Sequence, residues 1–224
     1  MKLRILLPLS VLAFASLACS VYGNDLGLTR GSGNLVTEAR EVSDFSKVTL
    51  LGAGDMTITQ GDKETLTISA EDNILSEIES EVRGDTLYIG FKKNFNIMPT
   101  EPIVIELEII NLEGLKIEGA GKIIVEEIDT PELSVRVDGT GDLELTGITI
   151  EQHVDINGAG NYDASELESE TAIVKMNGAG NVTIWVTEDL DIEMNGVGSI
   201  GYYGNPRVTQ DINGVGSIQS EGEK

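Results

Sequence analysis

The sequence predicts an all-β fold, a parallel β-helix or β-solenoid with coils of about 19 residues, and three observations predict it. First, a Gly-x-Gly unit recurs as LGAGDM, EGAGKI, DGTGDL, NGAGNY, NGAGNV and twice NGVGSI, with first glycines at 52, 119, 139, 158, 178, 196 and 214. The last five steps between them are 20, 19, 20, 18 and 18 residues. Second, apolar and polar residues alternate on both sides of each unit, the period of a strand with one buried face. Third, 26 Gly, 5 Pro and a single Trp in 224 residues describe a chain rich in turns and poor in aromatics. Its mean hydropathy of -0.01 is too apolar for a disordered acidic tail.

The N-terminus reads as an export signal. Lys2 and Arg4 precede an apolar run from Ile5 to Ala15, and no acidic residue occurs before Asp25. The run is too short for a transmembrane helix. It ends in Ala15-Ser16-Leu17-Ala18-Cys19, which resembles a bacterial lipobox, although Ser16 stands three places before the cysteine, where Leu is usual. The expected organisation is a signal peptide over residues 1–18, a lipidated Cys19 opening a flexible tether over 19–37, and a β-solenoid domain over 38–224. Such a protein is exported and held in the cell envelope as a membrane-anchored lipoprotein facing outside the cytoplasm. Removing Lys2 and Arg4 leaves 13 basic side chains against 38 acidic ones, a net charge of -25. That surface repels nucleic acid and anionic lipid head groups.

Alignment on the first glycine of each unit shows the coils. Four places before it stand Val48, Leu115, Val135, Val154, Val174, Ile192 and Gln210, and two places before it Leu50, Ile117, Val137, Ile156, Met176, Met194 and Ile212. Between these columns lie Thr49, Lys116, Arg136, Asp155, Lys175, Glu193 and Asp211, all polar. Beyond the glycines comes one more apolar column, Met56, Ile123, Leu143, Tyr162, Val182, Ile200 and Ile218. Two strands therefore flank each Gly-x-Gly corner. The small middle residues, from Ala53 to Val215, are expected to tuck inward, with the glycines supplying the positive φ of a sharp bend. Asn157, Asn177, Asn195 and Asn213 precede the last four corners and are expected to form a hydrogen-bonded ladder at about 4.8 Å per coil. Arg136, Asp155, Lys175 and Glu193 alternate in sign, as favourable neighbours on adjacent coils would.

The 67 residues from Gly52 to Gly119 are less regular. Residues 65–70, 86–91 and 103–109 alternate as strands do. Ile74, Leu75, Ile78 and Val82 make one stripe of a short helix expected over 72–82. This half is expected to cap the solenoid.

The order of G-S-G-N at 31–34, V-T-L-L-G-A-G-D at 48–55, I-T-Q-G-D at 58–62 and the serial N-G-A-G-N corners resembles the bacterial family called putative auto-transporter adhesin, head GIN domain. The resemblance covers about residues 38–218. It implies a right-handed β-helix-like fold in exported proteins, often lipoproteins, and carries no catalytic residue with it.

The chemistry-bearing readings narrow from there. One Cys and one His rule out intrachain disulfides and sites built on two imidazoles. No Gly-x-Gly opens a helix, so the units are corners rather than nucleotide loops. Asp138 and Asp142, with Glu118 one coil away, are the place where calcium would bind. His153 falls in an outward column, as a solvated surface histidine. Two function classes remain. One is a non-enzymatic envelope adhesin or surface-binding module, with no cofactor, whose partner is a glycan or surface protein. The other is a carbohydrate-active β-helix enzyme, whose mark would be carboxylates in a groove beside one of the few bases on the coils, Lys116, Lys122, Arg136, Lys175 or Arg207. The candidate binding surface is Trp185 and Tyr203, in an outward column with Glu126, Thr146, Ser165 and Glu221.

Overall fold

The computed structural model describes residues 28–93 and 95–224, so the expected signal peptide, Cys19 and the start of the expected tether lie outside the described residues. The irregular half holds β1 (Leu28–Arg30), β2 (Leu35–Arg40), β3 (Lys47–Leu50), β4 (Asp55–Gln60), β5 (Thr65–Glu71), α1 (Asp72–Leu75), β6 (Ile78–Arg83), β7 (Thr86–Phe91), β8 (Asn96–Met98) and β9 (Val104–Ile109). The coils are β10 (Gly114–Ile117), β11 (Ala120–Val137), β12 (Thr140–Ile156), β13 (Ala159–Met176), β14 (Ala179–Met194), β15 (Val197–Tyr203), β16 (Arg207–Ile212) and β17 (Val215–Gly222). Together they make a parallel β-solenoid of about five turns over residues 114–222.

Each coil contributes to two walls. The strand running into a Gly-x-Gly corner joins the inbound wall, ordered β6, β7, β3, β10, the second halves of β11 to β14, and β16. The strand leaving the corner joins the outbound wall, ordered β2, β5, β9, β4, the first halves of β11 to β14, β15 and β17. Pairing is parallel along the stack and antiparallel only at its start, where β6 closes on β7, and β5 on both β9 and β2. The irregular half is the expected cap. The apolar columns fill the space between the walls, from Val48, Leu50, Met56 and Ile58 to Ile192, Met194 and Ile200, all buried.

The corner is built by contact between coils. A Cβ on Gly158 would lie 1.8 Å from the carbonyl oxygen of Gly139, and one on Gly178 1.9 Å from that of Gly158. Those oxygens accept hydrogen bonds from Ala159 and Ala179 at 3.0 Å, which draws each backbone directly under the next. Glycine at the first position is therefore required by stacking. Only at the second position does φ enter, at 145° for Gly160, 152° for Gly180 and 156° for Gly198. The middle residues do not tuck inward, as the sequence led us to expect. Ala159 and Ala179 are exposed, and Val197 and Val215 are 57% and 71% exposed, because the glycine contacts fill the inner side of the bend.

The asparagine ladder is present. Asn177 donates to Asn157 at 3.0 Å, Asn195 to Asn177 at 3.1 Å and Asn213 to Asn195 at 3.4 Å. A second ladder runs along the far side of the corner, with Asn161 donating to Asp142 at 2.7 Å, Asn181 to Asn161 at 3.0 Å and Ser199 to Asn181 at 2.6 Å. Of the alternating charges, Arg136 and Asp155 form an ion pair at 2.8 Å.

Two local expectations are corrected. The helix stops after Leu75, and Ile78–Arg83 is a strand with Ile78 opposite Phe91 and Val82 opposite Leu87. A spacing of four fits both a helical stripe and strand alternation, and here pairing with β7 decides. Residues 28–37, expected in the tether, are folded onto the cap: β1 pairs with β8, and β2 with β5. The buried Glu71 carboxylate accepts hydrogen bonds from the Gly33 amide at 2.6 Å, the Thr100 hydroxyl at 2.5 Å and the Thr100 amide at 2.9 Å. These bonds, the Thr100 hydroxyl first, hold its carboxyl below the ordinary carboxylate range. Asp72 accepts from Ser32 at 2.5 Å and Asn34 at 2.9 Å, so the G-S-G-N segment is clasped.

Candidate binding surface

Coil lengths differ, and the structure absorbs the difference at the back edge, opposite the corners. Register slips between Val125 and Ile128, between Glu144 and Thr146, and between Ala164 and Glu168. At the last of these, Ala164 pairs with Ile184 and Glu168 with Trp185, so Ser165, Glu166 and Leu167 bulge from the 20-residue coil beside an 18-residue neighbour. The bulge stands next to the one Trp of the chain.

Trp185 and Tyr203 are direct register partners on the outbound wall. Both are half-buried and face outward, since their neighbours Val182, Ile184, Val186 and Ile200 are buried and Tyr202 packs against the core. The expected adjacency is therefore present. The rest of that column is not: Ser165 sits in the bulge rather than opposite Trp185, and Tyr203 faces Gly222 rather than Glu221 because β15 and β17 shift after Tyr202. Lys224 lies over the pair, its ammonium 5.4 Å from the Trp185 ring centre and 5.2 Å from that of Tyr203. It donates to the Ser165 carbonyl oxygen at 2.6 Å and forms an ion pair with the Glu166 carboxylate. Two aromatic faces and a carboxylate thus converge on one cation. Nothing in the spacing of the coils announced Lys224, because it lies beyond the last strand.

The calcium candidates do not come together. Asp138 accepts from Arg136 at 2.8 Å and from Asn157 at 3.0 Å, and these partners, Arg136 first, hold its carboxyl below the usual range. Asp142 faces the other ladder and accepts from Asn161, while Glu118 pairs with Lys116. Among the described residues no group of three or more metal-ligating side chains converges. His153 faces outward as expected, its Nε2 2.9 Å from Glu151. Carboxylates beside a base do occur in shallow open troughs of the inbound wall, Asp191, Glu193 and Asp211 beside Lys175 in one, and Glu151, Asp189 and Asp191 near Arg207 in another. There Arg207 holds Asp189 in an ion pair.

The family described as putative auto-transporter adhesin, head GIN domain, matches residues 44–206. Among solved structures, a putative adhesin from Bacteroides fragilis is 26% identical, covering 86% of this chain and 99% of that chain with a TM-score of 0.71. A putative lipid binding protein from Parabacteroides distasonis is 23% identical, covering 86% and 98% with a TM-score of 0.53. A putative adhesin from Parabacteroides merdae is 20% identical, again covering 86% and 98% with a TM-score of 0.53. The latter two attest the fold alone. No curated protein matches. The match extends over most of the cap and the coils as far as β15, and the chain belongs to the putative auto-transporter adhesin, head GIN domain family.

Proposed function

We propose that this chain is a non-enzymatic adhesin of the cell envelope, exported by residues 1–18, anchored through a lipid on Cys19, and binding its partner with the outbound wall at Trp185 and Tyr203. The observation that carries the reading is the ring pair itself. In a chain with only 4% aromatic residues, the one Trp and a Tyr stand in register on an outward face. Adjacent half-exposed rings offer rigid apolar area at low entropic cost, which is what a binding hot spot requires. The double variant Trp185→Ala, Tyr203→Ala should reduce capture of envelope extracts at least tenfold; undiminished capture would sink the reading. Anchoring is tested separately. Cys19→Ser should move the protein out of the membrane fraction and abolish labelling by a fatty-acid probe, whereas persistent labelling would refute the anchor.

A carbohydrate-active enzyme is the second reading, and the trough of Glu151, Asp189, Asp191 and Arg207 is what favours it. Its test is release of reducing ends from a polysaccharide panel, with loss of that activity in Asp191→Asn.

A further inference from the structure

We infer that the ring pair is a site for a primary alkylammonium, the end of a lysine side chain on a partner polypeptide, and that Lys224 is its internal occupant. The inference rests on the proposed adhesive role of Trp185 and Tyr203 and names the chemistry they recognise. Lys224 behaves as a ligand does. Its side chain is 22% exposed, against 38–48% for Lys47, Lys92, Lys116 and Lys122 in their ion pairs. Its partners, Ser165 and Glu166, are 59 and 58 residues away and three coils up the stack. Among the described residues, Glu223 and Lys224 lie outside every strand and make no backbone hydrogen bond. The contacts of Lys224 are made by its ammonium, so another ammonium competes for the same groups.

The surroundings select the same chemistry. The two ring faces attract a cation through their quadrupoles, and the Glu166 carboxylate and Ser165 carbonyl demand N–H donors, which a primary ammonium has and a quaternary one lacks. Glu168 stands opposite Trp185 in register, adding negative charge beside the rings. A net charge of -23 further favours a cationic partner over an anionic glycan.

Trp185 is the one Trp, so its fluorescence reports the site directly. The purified protein is titrated with n-butylammonium chloride at constant ionic strength. An internal competitor acts at an effective concentration in the millimolar range. Lys224→Met should therefore bind n-butylammonium about tenfold more tightly than the parent. Adding Glu166→Gln to Lys224→Met should cost about tenfold, and tetramethylammonium should bind more weakly than n-butylammonium. Equal affinity of the parent and Lys224→Met, or no saturable response in either, would overturn the inference. Tetramethylammonium binding as tightly as n-butylammonium would overturn the primary-ammonium assignment. If the double aromatic variant loses envelope capture while neither protein binds n-butylammonium, the cation chemistry is wrong and the adhesive surface stands. If capture survives the double variant, the adhesive surface itself is wrong.

Discussion

At the corner edge, Ala120, Thr140, Ala159, Ala179, Val197 and Val215 stay in unbroken register over successive coils. At the back edge, register slips between β11 and β12, between β12 and β13, and between β13 and β14. Both edges reverse the chain, but only the corner repeats its glycine-to-backbone contact from coil to coil and adds two side-chain ladders, whereas the back edge makes such contact singly, at Gly147 and Gly204. The back edge has room for extra residues. Glu127 and Gly147 take positive φ there, at 59° and 133°, and the bulge at 165–167 carries the groups that hold the Lys224 ammonium. Regularity thus gives the scaffold, and the departure from it builds the surface with chemistry.

The largest effect should come from breaking the corner. In Gly178→Val the new Cβ would fall 1.9 Å from the Gly158 oxygen, and because the clash is with backbone no rotamer relieves it. We expect a loss of about 4 kcal/mol or failure to fold, read from the denaturant midpoint. A loss under about 1 kcal/mol would mean that the corner yields as easily as the back edge.

Next in size is a gain. Gln152 lies six places before its corner, toward the back edge, fully buried, and neither its amide oxygen nor its nitrogen has a partner. The residues above and below it are Leu133 and Ala172. Burying an unpaired amide costs more than its apolar replacement, so Gln152→Leu should stabilise the fold by about 1–2 kcal/mol. Thermal unfolding decides it: a lower melting temperature would show that the amide is satisfied in solution.

Smaller again is the ladder. Asn177 donates to Asn157 and accepts from Asn195, and both bonds are solvent-exposed. Asn177→Ala should cost about 1 kcal/mol by urea denaturation, and no measurable loss would assign register to the glycine contacts alone.

The corner was legible in the sequence because glycine leaves a visible mark and because inward residues repeat with it; thirteen of the fourteen residues in the two columns before the corner are apolar. The Asn ladder was legible for the same reason. The second ladder was harder to see, since Asp142, Asn161, Asn181 and Ser199 share hydrogen-bonding capacity rather than identity. In the cap, a spacing of four between Ile78 and Val82 satisfied two periods at once, and only the partner strand β7 chose between them. At the candidate site the adjacency of Trp185 and Tyr203 could be counted, because no slip intervenes between their coils before that point. The position of Ser165 could not, because a bulge changes the count without changing composition.

The smallest effect should be at the middle of the corner, and it tests the direction in which that residue points. Ala159 is exposed, and its register neighbours are Thr140 on one side and Ala179 on the other. If the side chain faces solvent, Ala159→Thr adds a hydroxyl and a methyl to the ridge and removes nothing from the glycine contacts beneath it. A β-branched residue also suits the extended backbone that Thr140 and Val197 already occupy in the same column. The stability change should lie within about 0.5 kcal/mol, with the same denaturant slope as the parent. A loss above about 1 kcal/mol would show that the residue packs inward after all, and that small size at this column, rather than the absence of a Cβ at its glycine neighbours, is what sets the bend.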